Sequence, residues 1–571
     1  VKRICGSDFS RDFRPVAAKA APTFIRAAAI LVVAPTFAQP AGDGLTPAEI
    51  LNPTPGSWPT YSGDYSGRRY SPLDEINQSN VQNLTLAWAA RLTAGPADRG
   101  PHLLQTGGPG DGELFAQLPA NIRGSILAVD GILYVSSVDN AWAIDARDGR
   151  VIWHYWWKTV GGTHIGNRGM GMWGNYVYFE TPDNFLVSLD ARTGAERWNV
   201  EIASMAEQYF STPAPIVVGN HVIVGTGNDL DAPGFLQSFD PETGELQWKF
   251  YTVPMNPGDP GLETWKDLDA ARHGGGNPWV PGSYDPETNL YIFGTGEPKP
   301  AYFAEPRGNM EALFTCALIA LDADTGEMKW YYQTSPNDTH DWDSAQTPIL
   351  ADVEIDGQLR KVAMQAARNG YFFTIDRTNG EHIVTSKFSS TVNWAEDEYN
   401  EKGQPVRIPA KDHHVSGALV SNANQGASNW PPPSFSPDYG LFYVTVAETW
   451  AMYYTTELDP RGAMGLGGKE EISVDSRSFL RAIDPTNGEI RWSVEYPAGG
   501  SLANGVLTTG GRLLFAGDRG GNIVARDPAT GTPLWHSRIG NVSNAPQTYL
   551  IDGEQYVLVA NGDMLYAFKL Y

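Results

Sequence analysis

The run AIDARDGRVIW, Ala143 to Trp153, returns six times along the chain. It reappears as SLDARTGAERW (188–198), SFDPETGELQW (238–248), ALDADTGEMKW (320–330), TIDRTNGEHIV (374–384, without the Trp), AIDPTNGEIRW (482–492) and ARDPATGTPLW (525–535). Each copy alternates apolar and polar residues into an Asp, turns through a pair such as Thr-Gly or Asn-Gly, and leaves on a second alternating run. That is the signature of a β-hairpin. Upstream of most copies stands another strand-like run, among them GILYVSS at Gly131, HVIVG at His221 and LFYVTV at Leu441. One copy therefore accounts for roughly four short strands, the content of a propeller blade. The spacing of about 45 to 50 residues between the closest copies suits the same unit. Trp88 in NLTLAWAARL and the terminal runs QYVLVA and MLYAFKLY supply an eighth. The pattern predicts an all-β, eight-bladed β-propeller closed by joining the two ends of the chain, which removes exposed sheet edges. The repeat Trp residues read as packing between blades.

Outward from the repeats, the composition agrees. Among 571 residues, Gly 61, Pro 41, Trp 18 and Tyr 25 signal many turns and many aromatic packing positions. A formal net charge of −24 argues against nucleic acid or anionic lipid as a partner. Lys2, Arg3, Arg11, Arg14 and Arg26 precede an apolar stretch from Ala27 to Phe37, and Thr36-Phe37-Ala38 is a small-x-small site before Gln39. Residues 1–38 thus read as a removable export leader, and 39–571 as one propeller with inserted loops. The expected mature protein is periplasmic and has no stable membrane insertion, because no apolar run reaches the ~20 residues a spanning helix needs. Only Cys5 and Cys316 occur, and there is no CxxCH motif for covalent haem.

Three acidic settings break the repeat. Asp229 follows a Gly-rich strand end in GTGNDLDAPGF, Glu297 follows a similar one in FGTGEPKPAY, and Asp338, Asp341 and Asp343 crowd together in SPNDTHDWDSAQ. Propeller strand ends converge on the channel mouth, so carboxylates from different blades can meet there. Such a meeting is costly without a bound cation, and hard cations take oxygen ligands.

The repeats, the GGGNPW segment at Gly274 to Trp279 and the NDTHDWD segment resemble the family of alcohol dehydrogenases that depend on pyrroloquinoline quinone (PQQ), in the type without a haem domain. The resemblance covers nearly all of the expected mature chain. It implies PQQ held over a metal ion in the propeller channel, with Trp279 as the floor beneath the quinone. Metal ligands fall at Asp229 and Glu297, where the family has Glu and Asn, and at Asp341, the implied catalytic base. Asp343 occupies the position at which lanthanide-dependent members carry an extra Asp. Matching the Trp-Asp pair with an insertion instead would make Asp343 the base. Four acids favour a lanthanide(III) ion over Ca²⁺ by plain Coulomb reasoning, with Ca²⁺ as the alternative. Arg168, Thr212, Thr226, Gly227, Arg368 and Asn429 fall at implied PQQ contacts. Two positions depart from the family: Gly162-Thr163 replaces adjacent cysteines, and Arg123 stands where the family has an acidic contact.

The implied reaction is oxidation of an alcohol to a carbonyl, with Asp341 taking the hydroxyl proton, hydride passing to PQQ, and electrons leaving to a soluble cytochrome c. Wide insertions at 256–273 and 394–414 are expected to line or cover the entrance, which suggests a bulky secondary alcohol, a polyol or a sugar. The alternative is a non-catalytic propeller of the kind that scaffolds outer-membrane assembly, since fold does not fix function. The acidic constellation with Trp279 and Arg168 favours the enzyme.

Overall fold

The computed structural model describes residues 44–115, 118–164, 166–455, 471–497 and 504–571. The expected leader lies outside these residues. The regular structure of the described chain is nearly all strand, arranged as eight sheets of four or five strands beside two two-stranded sheets. Two of the eight add a parallel strand to an antiparallel meander, Tyr70–Ser71 beside Val506–Thr509 and Leu103–Gly107 beside Val151–Trp157, and five are wholly antiparallel and each built from one stretch of chain. Gly171–Trp173, Tyr176–Glu180, Phe185–Asp190 and Glu196–Glu201 form one of them. The remaining sheet joins the two ends: Leu84–Arg91 lies antiparallel to Met564–Leu570, with Leu84 opposite Leu570 and Arg91 opposite Met564. This is the pairing the terminal runs suggested, and the protein is a β-propeller.

The repeat explains how the sheets dock. In the second copy Asp190 folds the turn, its carboxylate accepting from the backbone N–H groups of Arg192 and Thr193 at 3.1 and 2.9 Å. Gly194 closes it at φ +69°, a conformation that favours glycine. A Cβ on Gly194 would come within 2.7 Å of the Trp153 ring, so the turn is the seat for the Trp of the preceding sheet. The Trp153 indole then donates to the carbonyl of Ala191 at 2.9 Å. The contact recurs from sheet to sheet: Trp88 donates to Ala146, Trp248 to Ala323, Trp330 to Arg377 and Trp492 to Pro528. Trp535 donates to Leu84, in the sheet that joins the chain ends. Asp, Gly and Trp of the repeat are thus one device, in which a hairpin offers a Trp to the next and receives one from the last, except that the 374–384 copy has Val384 in place of the Trp and Trp198 packs on Gly244 without an indole hydrogen bond.

Burial follows from this stacking. Middle strands such as Ile132–Ser137 and Asn140–Asp145 are buried on both faces, whereas last strands such as Leu246–Tyr251 alternate. Both insertions are present. The first carries the short helix Leu268–Arg272, capped by Asp267. The second carries the hairpin Ala395–Tyr399 with Pro405–Arg407. Neither insertion lines the cavity around Trp279. Among the described residues no helix is long and apolar enough to cross a membrane.

Candidate active site: carboxylates around Trp279

The loops that leave the strand ends bring the predicted residues together. A cavity of about 230 Å³ is lined by Arg168, Thr212, Asp229, Trp279, Glu297, Asp341, Asp343, Arg368 and Asn429. Thr226 and Gly227 do not line it. Thr226 is fully buried behind it, its hydroxyl without a hydrogen-bond partner. Gly227 pairs with Phe210, and a Cβ there would strike the Phe210 ring, so its role is to let that ring approach the cavity.

Asp343 organises the centre. Its Oδ2 accepts from the Trp279 indole N–H at 2.7 Å and lies 3.2 Å from the Arg368 guanidinium, while its Oδ1 accepts from the backbone N–H of Glu297 at 2.7 Å. Trp279 is further fixed through its carbonyl, which accepts from the Thr212 hydroxyl. Glu297, Asp341 and Asp343 each place a carboxylate oxygen within 4.8 Å of the other two, the spacing of a metal-binding group. Asp229 lies outside this tight group and pairs with His164.

Asp341 sits at φ +62°, a strained position for a residue with a side chain. The loop that holds it there is over-determined. Asp338 turns away from the cavity and accepts from the backbone N–H groups of His340 and Trp342, both at 3.1 Å. Arg307 donates to the Asp338 carbonyl at 2.6 Å and to Asn337 at 3.1 Å. Behind the loop, the second insertion acts as a buttress: His340 bonds the Lys411 carbonyl and Thr339 donates to Asp412, each at 2.9 Å. The crowded acids therefore divide their work, Asp338 shaping the turn and the other two facing the cavity.

Electrostatics differ from what a count of acids gives. Burial, reinforced by the charge of Glu297, raises Asp341 well above the ordinary carboxylate range. Burial likewise raises Asp343, against the pull of Arg368. Glu297 goes the other way: despite burial, the Lys299 ammonium holds it down at about 2. Sequence reasoning missed Lys299, although FGTGEPKPAY contains it, because a loop lysine reads as solvated until its burial is seen. His164 and Asn277 were missed as well, and both line the cavity.

The cationic wall suits an anionic ligand. The Arg168 guanidinium lies 4.7 Å from the Trp279 ring centre and Arg368 lies 5.3 Å from it. Arg168 Nε and Nη1 and Arg368 Nε are buried without hydrogen-bond partners, and Arg123 completes the basic lining. Burial lowers Arg168 to about 10. Orphaned donors of this kind are uncommon inside proteins and fit a ligand bearing carboxylates or quinone oxygens. The residues present thus fit PQQ, and the three clustered carboxylates fit a metal ion.

Comparison with known proteins agrees with the geometry. The family described as "Glucose/ethanol/alcohol dehydrogenase, beta-propeller domain" matches residues 58–416. The family "Outer membrane protein assembly factor BamB" matches residues 476–570. Quinohemoprotein alcohol dehydrogenase ADH-IIG of Pseudomonas putida is 34% identical over 555 residues, covering 89% of this chain and 72% of the relative. Quinoprotein alcohol dehydrogenase PedH of Pseudomonas putida is 34% identical over 532 residues, covering 87% and 84%. A europium-containing methanol dehydrogenase superposes with a TM-score of 0.79 at 25% identity, covering 92% of this chain and 100% of that one. The chain belongs to the family of PQQ-dependent alcohol dehydrogenases and shares its β-propeller fold.

Proposed function

We propose that this protein is a periplasmic dehydrogenase that binds PQQ and one metal ion, Ca²⁺ or a lanthanide(III), and oxidises an alcohol to the carbonyl. The observation that carries the reading is Trp279 held by Asp343 beside the cluster of Glu297, Asp341 and Asp343. The eight sheets are the blades of one closed ring, residues 1–38 are its export leader, and a soluble cytochrome c takes its electrons. Bound in the cavity, PQQ supplies the two-electron sink and the metal the Lewis acid that polarises it.

The chain's own residues do the rest. Trp279 offers a flat apolar floor, fixed at its indole N–H and its carbonyl. Arg168 and Arg368 offer buried cationic donors to the acids and carbonyls of the cofactor, with Thr212 and Asn429 as smaller polar contacts. Asp341 takes the hydroxyl proton of the alcohol at its carboxylate. Arg368 steadies that residue, donating to the Asp341 carbonyl at 2.9 Å. Asp229, Glu297, Asp341 and Asp343 are the oxygen donors available to the metal.

A second cavity of about 330 Å³ is lined by Asp231, Lys266, Asp267, Asp269 and His273 among others, and by Lys299, the ion-pair partner of Glu297. Its charged lining favours a hydroxyl-rich substrate, a polyol or sugar, over methanol. The scaffold alternative draws on the BamB-like stretch, but that stretch contributes no residue to the cavity. Dye-linked oxidation by metal-free apoprotein, reconstituted with PQQ plus Ca²⁺ or La³⁺ and offered alcohols from methanol to polyols, tests the reading. Turnover that requires both PQQ and a metal is the expected result. Absence of PQQ binding and turnover with either metal would return the scaffold, and a clear preference for methanol would overturn the substrate class.

A further inference from the structure

Glu297 reaches the cavity with a buried ammonium already on it. Lys299 stands two residues along, is only 3% exposed, and forms an ion pair with Glu297 Oε1. Its charge is also felt by Asp229 and Asp341. Pro298 and Pro300 flank it and restrict the backbone, and the Lys299 N–H donates to the Gly274 carbonyl at 3.0 Å. An ammonium taken out of water is tolerated only where anions surround it. Lys299 is therefore a fixed positive charge that lines the second cavity and is paired with Glu297, which lines the first. The four carboxylates, when ionised, face it and the Arg368 guanidinium. Counting only these two cations, which are the ones paired with the cluster, two negative charges are left over, the complement of a divalent ion. The count of acids in the sequence pointed to a trivalent one.

We propose that Lys299 is a resident counter-charge that sets which metal ion the carboxylate cluster holds, disfavouring trivalent ions more than divalent ones. The proposal rests on the reading that the cluster binds a metal. Repulsion between the ammonium and an ion grows in proportion to the ion's charge. Removing the ammonium should therefore raise the logarithm of the La³⁺ affinity by about 1.5 times the rise for Ca²⁺, a ratio that follows from the charges alone. A purely structural role for Lys299 would weaken both ions together.

Calorimetric titration of Ca²⁺ and of La³⁺ into the PQQ-loaded protein reads this without reference to turnover. Lys299→Met should bind La³⁺ about tenfold more tightly or better, with a smaller gain for Ca²⁺. Lys299→Arg, which keeps the charge, should restore wild-type selectivity. Lys299→Gln removes the charge but keeps a donor to Glu297 and carries the same expectation, so that one misfolded variant does not end the test. Equal changes for both ions, or none in either neutral variant, would overturn the role of Lys299. A wild-type protein that binds neither ion would overturn the metal-site reading itself.

Discussion

The indole of Trp279 and the carboxylate of Asp343 are joined by a 2.7 Å hydrogen bond, and the second oxygen of the same carboxylate holds the backbone of Glu297. One side chain thus fixes both the floor of the cavity and a would-be metal ligand. Removing a group that orients such ligands commonly costs about 10- to 100-fold in affinity or activity. Asp343→Ala is expected to weaken PQQ binding by about that factor, measured by equilibrium dialysis with the metal held constant. Asp343→Asn, which keeps one acceptor, should lose less. An alanine variant that binds PQQ as tightly as wild type would remove Asp343 from this role.

Arg168 is buried against Trp279 with two of its nitrogens unsatisfied. A hydrogen bond from a charged donor to an anionic ligand is worth about 1.5–3 kcal/mol. Arg168→Ala should therefore raise the dissociation constant for PQQ by roughly 10- to 150-fold, while relieving an uncompensated buried charge in the apoprotein. Thermal melting of the two apoproteins and a PQQ titration check the two halves. A stable apoprotein with unchanged PQQ affinity would contradict the assignment.

The Trp-on-Gly contacts between sheets carry stability and not chemistry. Trp330→Phe deletes the bond to Arg377 and part of the ring packed on Gly380. The expected cost is about 1–2 kcal/mol, read as a lower denaturant midpoint with turnover per folded molecule preserved.

Asp98 ties the loop before Leu103–Gly107 to the strand Val151–Trp157. Its Oδ2 lies 2.7 Å from both His154 Nδ1 and His102 Nε2. Although burial opposes it, bonds from His154, the Gly100 N–H and His102 hold the Asp98 pKa below its ordinary value. A carboxyl whose folded pKa is depressed contributes stability above its unfolded value, near 3.9, and loses it as pH falls through the folded one. Denaturation at pH 7 and at pH 3 should show wild type losing part of this contribution in acid. Asp98→Asn should be destabilised by about 1–3 kcal/mol at pH 7 and show a smaller further loss at pH 3.

The fold was legible because its signal is local and repeated. Asp190, Gly194 and Trp198 lie within one hairpin, and the same residue types recur in most copies. Even the closing sheet could be read, since Leu84–Arg91 carries the strand pattern without a partner nearby in sequence and Met564–Leu570 ends the chain with a free edge for it. The site was legible in its acids, Trp279 and Arg168, which depart from the repeat. Lys299 and His164 were not, because their pairing with Glu297 and Asp229 is a tertiary fact. The support that 394–414 gives the Asp341 loop was illegible for the same reason, since it rests on the hydrogen bond of His340 to the Lys411 carbonyl.

The most direct test of the central claim is the absorption spectrum of the PQQ- and metal-loaded protein when an alcohol substrate is added without any electron acceptor. The account predicts that wild type reduces its PQQ in this single turnover and that Asp341→Asn, loaded to the same PQQ content, does so at least about 100-fold more slowly, the factor general-base catalysis typically supplies. Reduction by Asp341→Asn at the wild-type rate would contradict the role given to Asp341, and a wild-type protein that takes up no PQQ would contradict the account as a whole.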